Sequence, residues 1–536
     1  MKKIALFAGI LLFSCNMSLF AQGNEIDAYT LSSTELGGTA RSMSMAGAFG
    51  ALGGDISVIS GNPAGLGIYR SSEISGTLNL SMNGASTNWM GVGADKSKTS
   101  FSPSNFGLSL YFPTSSTSVN SWSLGFSYNS LRNYKRSYRM SSNGQPNSMA
   151  DYVAWRASNA FGPGNGIAHH ELVGNNSHNP YYNREMSGQW LSILGYDSGM
   201  IDPAGRNGYK SRFGWDESSG WETESPYHSS LIVNESGHMD EYNIGFGMNI
   251  SNFLFLGGSV SVTDISYRYT SFYDDFFDDD SDLYLENWLN TEGTAVSLNV
   301  GAIMNLQMLR LGVAYNSPRW YDMTDYYNAY AGTYINGYEE PGFDDWTPED
   351  SYSEYRFKTP GKWIFSAAAI VGQSALISAD YEISDYRKMR YSDRDGDDRG
   401  FIANDFINTD YTWAQTLKIG AEIKVTPQFA VRAGYMIQTS PMRERLVDNK
   451  DEVLPSGTIP HFTVTSKPTN YYTVGFGYRF TPNFYTDVAC VYRYNDSKVY
   501  AFSNTYNRDE EVEVISEPAS LKTKNTNLVL TLGYKF

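Results

Sequence analysis

Residues 472–480 read YTVGFGYRF. Tyr472, Val474, Phe476, Tyr478 and Phe480 share one parity, and Thr473, Gly475, Gly477 and Arg479 the other. A period of two belongs to an extended strand, whose successive side chains point to opposite faces. Residues 242–250 repeat it, with Tyr242, Ile244, Phe246, Met248 and Ile250 against Asn243, Gly245, Gly247 and Asn249. The C-terminus does the same, with Leu528, Leu530, Leu532, Tyr534 and Phe536 opposite Asn527, Val529, Thr531, Gly533 and Lys535. A soluble sandwich would bury an aliphatic face and expose larger charged residues. Here the polar face is Gly, Ser, Asn and Thr, and the apolar face is capped by aromatic rings. That suits an all-β, transmembrane antiparallel barrel with lipid outside, a lumen of small residues, and aromatic girdles at both interfaces.

About 14 such segments recur, near 72–83, 104–112, 120–131, 239–250, 253–272, 292–304, 308–320, 354–370, 375–391, 411–424, 428–439, 468–480, 484–502 and 520–536. The connections alternate between tight turns, such as 251–252, 305–307 and 425–427, and long stretches, such as 84–103, 132–238 and 273–291. Short periplasmic turns and long extracellular loops are the outer-membrane pattern. The rest of the composition agrees. Of 536 residues, 15% are aromatic and only 18% charged, and there are 50 Gly. The net charge of −17 repels a phosphate backbone and argues against a nucleic-acid partner. Lys2 and Lys3, the apolar run Ile4–Phe13 and the small residue Ala21 read as a secretory signal peptide over 1–21, cleaved after Ala21. Cys490 is then the one cysteine of the mature chain.

Residues 22–71 do not alternate. They are rich in Gly, Ala and Ser, yet carry Met43, Met45, Phe49, Leu52, Ile56, Val58 and Ile59, too apolar for a solvated tail. We read them as an N-terminal hatch that plugs the lumen of a barrel spanning 72–536. This stretch resembles the hatch of the FadL/TodX family of outer-membrane transporters for hydrophobic compounds. The resemblance lies in Ala40-Arg41-Ser42-Met43, Met45-Ala46-Gly47-Ala48, Asp55 and Asn62-Pro63-Ala64-Gly65-Leu66. Tyr315-Asn316-Ser317-Pro318, expected at the extracellular end of strand seven, and Asp380-Tyr381-Glu382 in strand nine are further echoes. The strand count agrees with that family's fourteen. The loop at 132–238 is longer than is usual there, and Met149–Ser158 within it reads as a short helix.

The hatch residues that carry the resemblance are Arg41, Met43, Met45, Gly47, Asn62, Pro63 and Ala64. By parity Arg310, Lys418, Arg432, Arg479 and Arg493 face the lumen, with Asp380, Glu422 and Asp487. Two roles stand open for them: an ion-pair network that holds the hatch, or cations that meet a ligand carboxylate. Phe536 resembles the terminal aromatic read by the barrel-assembly machinery. His169, His170, His178, His228 and His238 share one long segment but lack the spacing of a metal or haem site. Asp393, Asp395 and Asp397 begin like a calcium loop, but Asp398 stands where an EF-hand needs Gly and Asn404 where it needs Glu. No metal, cofactor or catalytic constellation is expected, and the chain reads as a non-enzyme.

The resemblance implies an outer-membrane channel, acting as a monomer, for passive uptake of hydrophobic compounds such as long-chain fatty acids. It implies hatch rearrangement and lateral exit through the wall, beside lipid and lipopolysaccharide. The alternative is a surface receptor or adhesin, for haem among other ligands, acting through 132–238.

Overall fold

The computed structural model describes residues 23–536 apart from 175–178, 218–219, 338–341, 350, 373, 508 and 510. The expected signal peptide, Cys15 and His178 lie outside the described residues.

Fourteen antiparallel staves close a barrel among the described residues. They are β1 (Glu73–Trp89), β2 (Val92–Pro113), β3 (Val119–Asn133, continued by Arg136–Ser142), β4 (His228–Ile250), β5 (Leu254–Phe276), β6 (Asp282–Leu306) and β7 (Leu309–Asn316 and Trp320–Tyr334). There follow β8 (Tyr352–Lys358 and Lys362–Val371), β9 (Ala375–Asp385 and Arg390–Ser392), β10 (Trp413–Lys424), β11 (Phe429–Gln438), β12 (Thr469–Arg479), β13 (Phe484–Tyr500) and β14 (Ala519–Lys535). β1 pairs with β2 on one side and β14 on the other, Leu78 lying opposite Leu530. Among the described residues closure leaves the wall itself without an open edge, which a wall in hydrocarbon requires because lipid supplies no hydrogen bonds.

Burial is inverted relative to a soluble protein. Leu532 is 49% exposed while its neighbour Thr531 is fully buried. Ile244 is 67% exposed and Asn243 fully buried. The outward face is thus the apolar one, over a belt carrying Trp320, Trp363, Trp413, Tyr472 and Tyr534. No helix of the described residues is long and apolar enough to cross a membrane.

Several segments expected as loops are strand. Residues 84–103 form one ladder, Asn88 opposite Gly93, closed by a tight turn with Met90 and Gly91 at φ 49° and 92°. Residues 273–291 likewise extend β5 and β6, with Phe276 opposite Asp282. Beyond the bilayer the outer face no longer needs to be apolar, so alternation fades although the ladder continues. Tyr315–Pro318 does not end strand seven but interrupts it: β7 resumes at Trp320. Pro318 on β7 and Pro360 on β8 both lack the N–H a ladder needs, and Thr359 bridges the break by donating its N–H to the Arg319 carbonyl at 3.1 Å.

The hatch lies inside the barrel. It comprises α1 (Glu25–Ser32), α2 (Ala40–Ser44) and two 3-10 turns, Ile56–Ser60 and Pro63–Ile68. Asn24 caps α1 in a capping box with Asp27, and Thr39 caps α2. Over the long-loop end, α3 (Met149–Ser158) and α4 (Trp190–Asp197) pack into a common core with the upper staves. Tyr152 and Trp190 are fully buried there, and Tyr152 stacks on Phe502 at 5.3 Å between ring centres.

Candidate functional site: a chamber bounded by the hatch

The glycines on the inward parity are seats for the hatch. A Cβ on Gly420 or Gly434 would lie 2.5 or 2.6 Å from the backbone of Met45. At Gly125 it would meet Ile59 and Leu66 at 2.9 Å, and at Gly257 it would overlap the Pro63 backbone. These residues therefore let a plug of buried Met, Ile and Leu lie directly on the wall. The polar inward residues tie it down. Ala40 N–H donates to Thr531 Oγ1 at 2.7 Å, Gly50 N–H to Asp380 Oδ2 at 2.9 Å, and Ser259 Oγ to the Ile59 carbonyl at 2.8 Å. Asn316, at the end of the first β7 segment, donates to the Gly61 carbonyl at 3.0 Å.

Above the hatch, toward the long-loop end, a cavity of about 150 Å³ lies between α1 and the wall. Its apolar lining comes from Ile26, Leu289 and Phe462 and from the rings of Tyr134, Tyr138, Tyr267 and Tyr269. Its charged residues are Arg132, Lys135, Arg136 and Arg493 with Asp27, Glu35 and Glu235. Arg136 donates from Nη2 to Glu235 Oε1 at 2.9 Å and stands 5.4 Å over the Tyr138 ring. Tyr267 donates its hydroxyl to the same carboxylate at 3.0 Å. Arg132 donates to the Thr30 carbonyl of α1 at 2.7 Å and lies 4.8 Å over Tyr134. Arg493 pairs with Glu35 of the hatch, and its Nε has no hydrogen-bond partner. Guanidinium groups over aromatic faces keep their charge while shedding water. The chamber therefore sets aromatic and apolar side chains beside cations, in a lining otherwise rich in Ser, Thr and Asn.

His461 also lines the chamber. Its Nδ1 donates to the Ala501 carbonyl at 2.6 Å, its ring stacks on Tyr273, and its Nε2 has no partner. Burial pushes its pKa down to about 4, so the ring is neutral at ordinary pH.

No family model and no curated protein matches the chain. Among solved structures, a Pseudomonas aeruginosa FadL homologue aligns with a TM-score of 0.51 at 12% identity, over 94% of this chain and 99% of that one. The P. putida toluene transporter TodX aligns with a TM-score of 0.51 at 13% identity, over 94% and 99%. The fold is that of the FadL/TodX transporters. It makes this chain a barrel of the outer-membrane type.

Within this FadL/TodX-type fold the residues singled out from sequence separate into groups. Met43 and Met45 are buried anchors, Met43 against Met436 and Tyr471, Met45 against Phe49 and Leu52. Gly47 has φ 74°, where a side chain would be strained. Asn62 caps the turn that Pro63 begins, accepting from Ala64 N–H at 3.2 Å and donating to the Gly50 carbonyl at 2.7 Å. Ala64 packs on Phe255 and Ile303. Arg41 and Arg432 converge on Glu422 at 3.1 and 2.6 Å, and Arg432 also reaches Asp487 at 2.5 Å. Lys418 stands apart in mid-lumen, sharing Glu382 with Lys362 at 2.6 and 3.2 Å. Arg310 and Arg479 lie at the short-turn end, and Arg493 alone reaches the chamber.

Arg132, Arg136 and the chamber tyrosines were not singled out from sequence. Arg132 and Arg136 fall in the stretch read as a loop, where the alternation of Tyr134, Arg136 and Tyr138 was the available signal. The histidines do not converge. His169 bonds the Gly205 carbonyl at 3.0 Å, whereas His238 faces Asp264 at 3.3 Å on β5. Among the described residues no group of three His, Cys, Asp or Glu side chains is placed to hold a metal ion. Asp393 of the acidic loop accepts from the N–H groups of Asp395 and Asp397 instead.

Proposed function

We propose that the protein is an outer-membrane channel that takes up hydrophobic compounds by passive diffusion, long-chain fatty acids among them, and performs no catalysis. The observation that carries this is the chamber itself, where a patch of tyrosine rings with Ile26, Leu289 and Phe462 lies beside arginines in a lining of Ser, Thr and Asn, with the hatch helix α1 as one wall. An aliphatic chain gains roughly 0.8 kcal/mol for each methylene buried, and a carboxylate head finds Arg132, Arg136 or Arg493. A ligand that displaces Thr30 from Arg132, or Glu35 from Arg493, loosens contacts that hold the hatch. Lateral exit is supported at β3, where the ladder with β4 shifts register between Ser130 and Arg132. There the Leu131 carbonyl accepts from hatch residue Glu35 at 2.9 Å. The working chain is a monomer exported by cleavage of 1–21, with hatch 22–71, barrel 72–536, and lipid and lipopolysaccharide around it.

The test is oleate uptake by cells with matched amounts of folded wild-type protein or the Tyr267→Ala/Arg136→Gln variant. Uptake should fall several-fold in the variant. Equal uptake in variant cells and in cells lacking the protein altogether supports the reading, whereas wild-type uptake equal to that of cells lacking the protein overturns it.

A further inference from the structure

A second cavity, of about 360 Å³, opens on the other side of the hatch, at the short-turn end. One side is apolar: Leu52 and Ile68 of the hatch face Ile370 on β8, Leu376 on β9 and Phe429 on β11. The other side is cationic. Arg41, Arg310, Lys424, Arg432, Arg479 and Lys535 line it, against Asp55, Glu73, Glu422 and Asp487. The lining thus carries 6 positive and 4 negative side chains in a chain of net charge −17. Arg41 and Arg432 are neutralised by Glu422 and Asp487, and Lys535 by Glu73 at 3.2 Å. Arg310, Lys424 and Arg479 have no carboxylate partner among the described residues. Arg310 donates from Nη1 to the Leu52 carbonyl of the hatch at 2.7 Å, and its Nε is buried without a partner. A half-buried guanidinium that lacks an anion is costly, and guanidinium binds oxyanions in a bidentate fork.

We propose that this vestibule is a binding station for amphipathic anions, apart from the lateral route proposed at β3. An oxyanion head sits between Arg310 and Arg479, and its aliphatic chain lies along Leu52, Ile370 and Phe429. The head takes Arg310 away from the Leu52 carbonyl, so arrival at the station is felt by the hatch. The proposal rests on the uptake reading for a transported fatty acid as the source of the anion. A lipid of the adjacent leaflet carries the same chemistry.

The experiment is equilibrium binding of radiolabelled oleate to the purified full chain in neutral detergent. Wild type is compared with Arg310→Gln/Arg479→Gln, with oleyl alcohol and oleoyl lysophosphatidate as competitors. Wild type should show two classes of site, and the variant should lose one, halving the stoichiometry. Oleyl alcohol should displace oleate from the retained class only. If lysophosphatidate empties the sensitive class at lower concentration than oleate does, the anion site stands and its occupant is membrane lipid. Unchanged stoichiometry in the variant, or displacement of both classes by oleyl alcohol, overturns the proposal. Should wild type bind no oleate, the uptake reading fails, and binding of labelled lysophosphatidate decides the vestibule separately: loss in the variant supports it and equal binding overturns it. Arg479→Gln alone, at an exposed position, serves if the double variant does not assemble, with at least a tenfold weakening of one class expected.

Discussion

Gly301 on β6 leaves the space that the side-chain amide of Asn62 fills: a Cβ at 301 would overlap the amide oxygen. The same amide donates to Gly50 within the hatch at 2.7 Å and toward the Ala302 carbonyl of the wall at 3.4 Å. One side chain thus joins two parts of the plug to the barrel, and the wall is hollowed to receive it.

Gly301→Ala should therefore push the hatch corner inward and leave the barrel closed. The double change Asn62→Ala/Pro63→Ala should act alike, since Pro63 sets the first turn and offers no N–H. Both variants should assemble, admit small hydrophilic antibiotics several-fold faster, and change oleate uptake several-fold. Antibiotic permeability and oleate uptake at matched levels of folded barrel are the measurements. If both equal wild type, the corner does not gate transport; if only yield falls, it is a folding elbow.

Glu422 separates two arginines with different consequences. Arg432→Met strands Asp487 in the wall and leaves Glu422 only Arg41 at 3.1 Å, and removal of one partner from a buried network costs about 3–5 kcal/mol. Arg41→Met leaves Glu422 still paired with Arg432 at 2.6 Å and releases only the hatch. Urea unfolding should show a clear drop for Arg432→Met and a small one for Arg41→Met, while leakage rises in the latter. Equal stability losses would refute this division.

Stability should fall with acid through His461. Its folded pKa is about 4 against an ordinary 6.5, so between these values the unfolded chain binds a proton that the folded one refuses. The contribution is full above pH 6.5 and is lost as pH falls toward 4, amounting to about 3 kcal/mol. His461→Gln should flatten the pH dependence of the urea midpoint between pH 7.5 and 4.5. An unaltered slope would show that His461 is not its source.

Phe536 is 59% exposed and donates its N–H to the Ser72 carbonyl at 3.0 Å, while barrel closure runs from Glu73 opposite Lys535 to Asn88 opposite Ser520. Deleting Phe536 should leave the stability of finished barrels within about 0.5 kcal/mol, as for surface changes generally, yet lower the amount reaching the outer membrane. Immunoblots of heat-modifiable barrel against total exported chain test this; undiminished barrel would remove Phe536 as an assembly signal.

Much of this protein follows from local order along the chain. Alternation at 242–250 or 472–480 places each side chain on the lipid or lumen face without knowledge of its neighbours, because a strand has a period of two. Asn62-Pro63 likewise marks a corner from its own chemistry. Other features needed distant parts of the chain. The outward face of the strands at the long-loop end need not be apolar beyond the bilayer, so 84–103 read as loop though it is ladder. Whether an inward glycine is mere lining or a seat depends on what reaches it from the hatch, some 240 residues away between Asn62 and Gly301. The chamber is assembled from α1, from β3, β4, β5, β6 and β13 among other staves, and from the segment around His461, which lie far apart in the chain. Sequence by itself determined the wall, its two faces and the presence of a plug, since those rest on neighbours in the chain. Tertiary structure alone decided where charges stand paired or unpaired, because Arg432 and Arg310 share a parity and differ only in the partners that closure of the barrel brings to them.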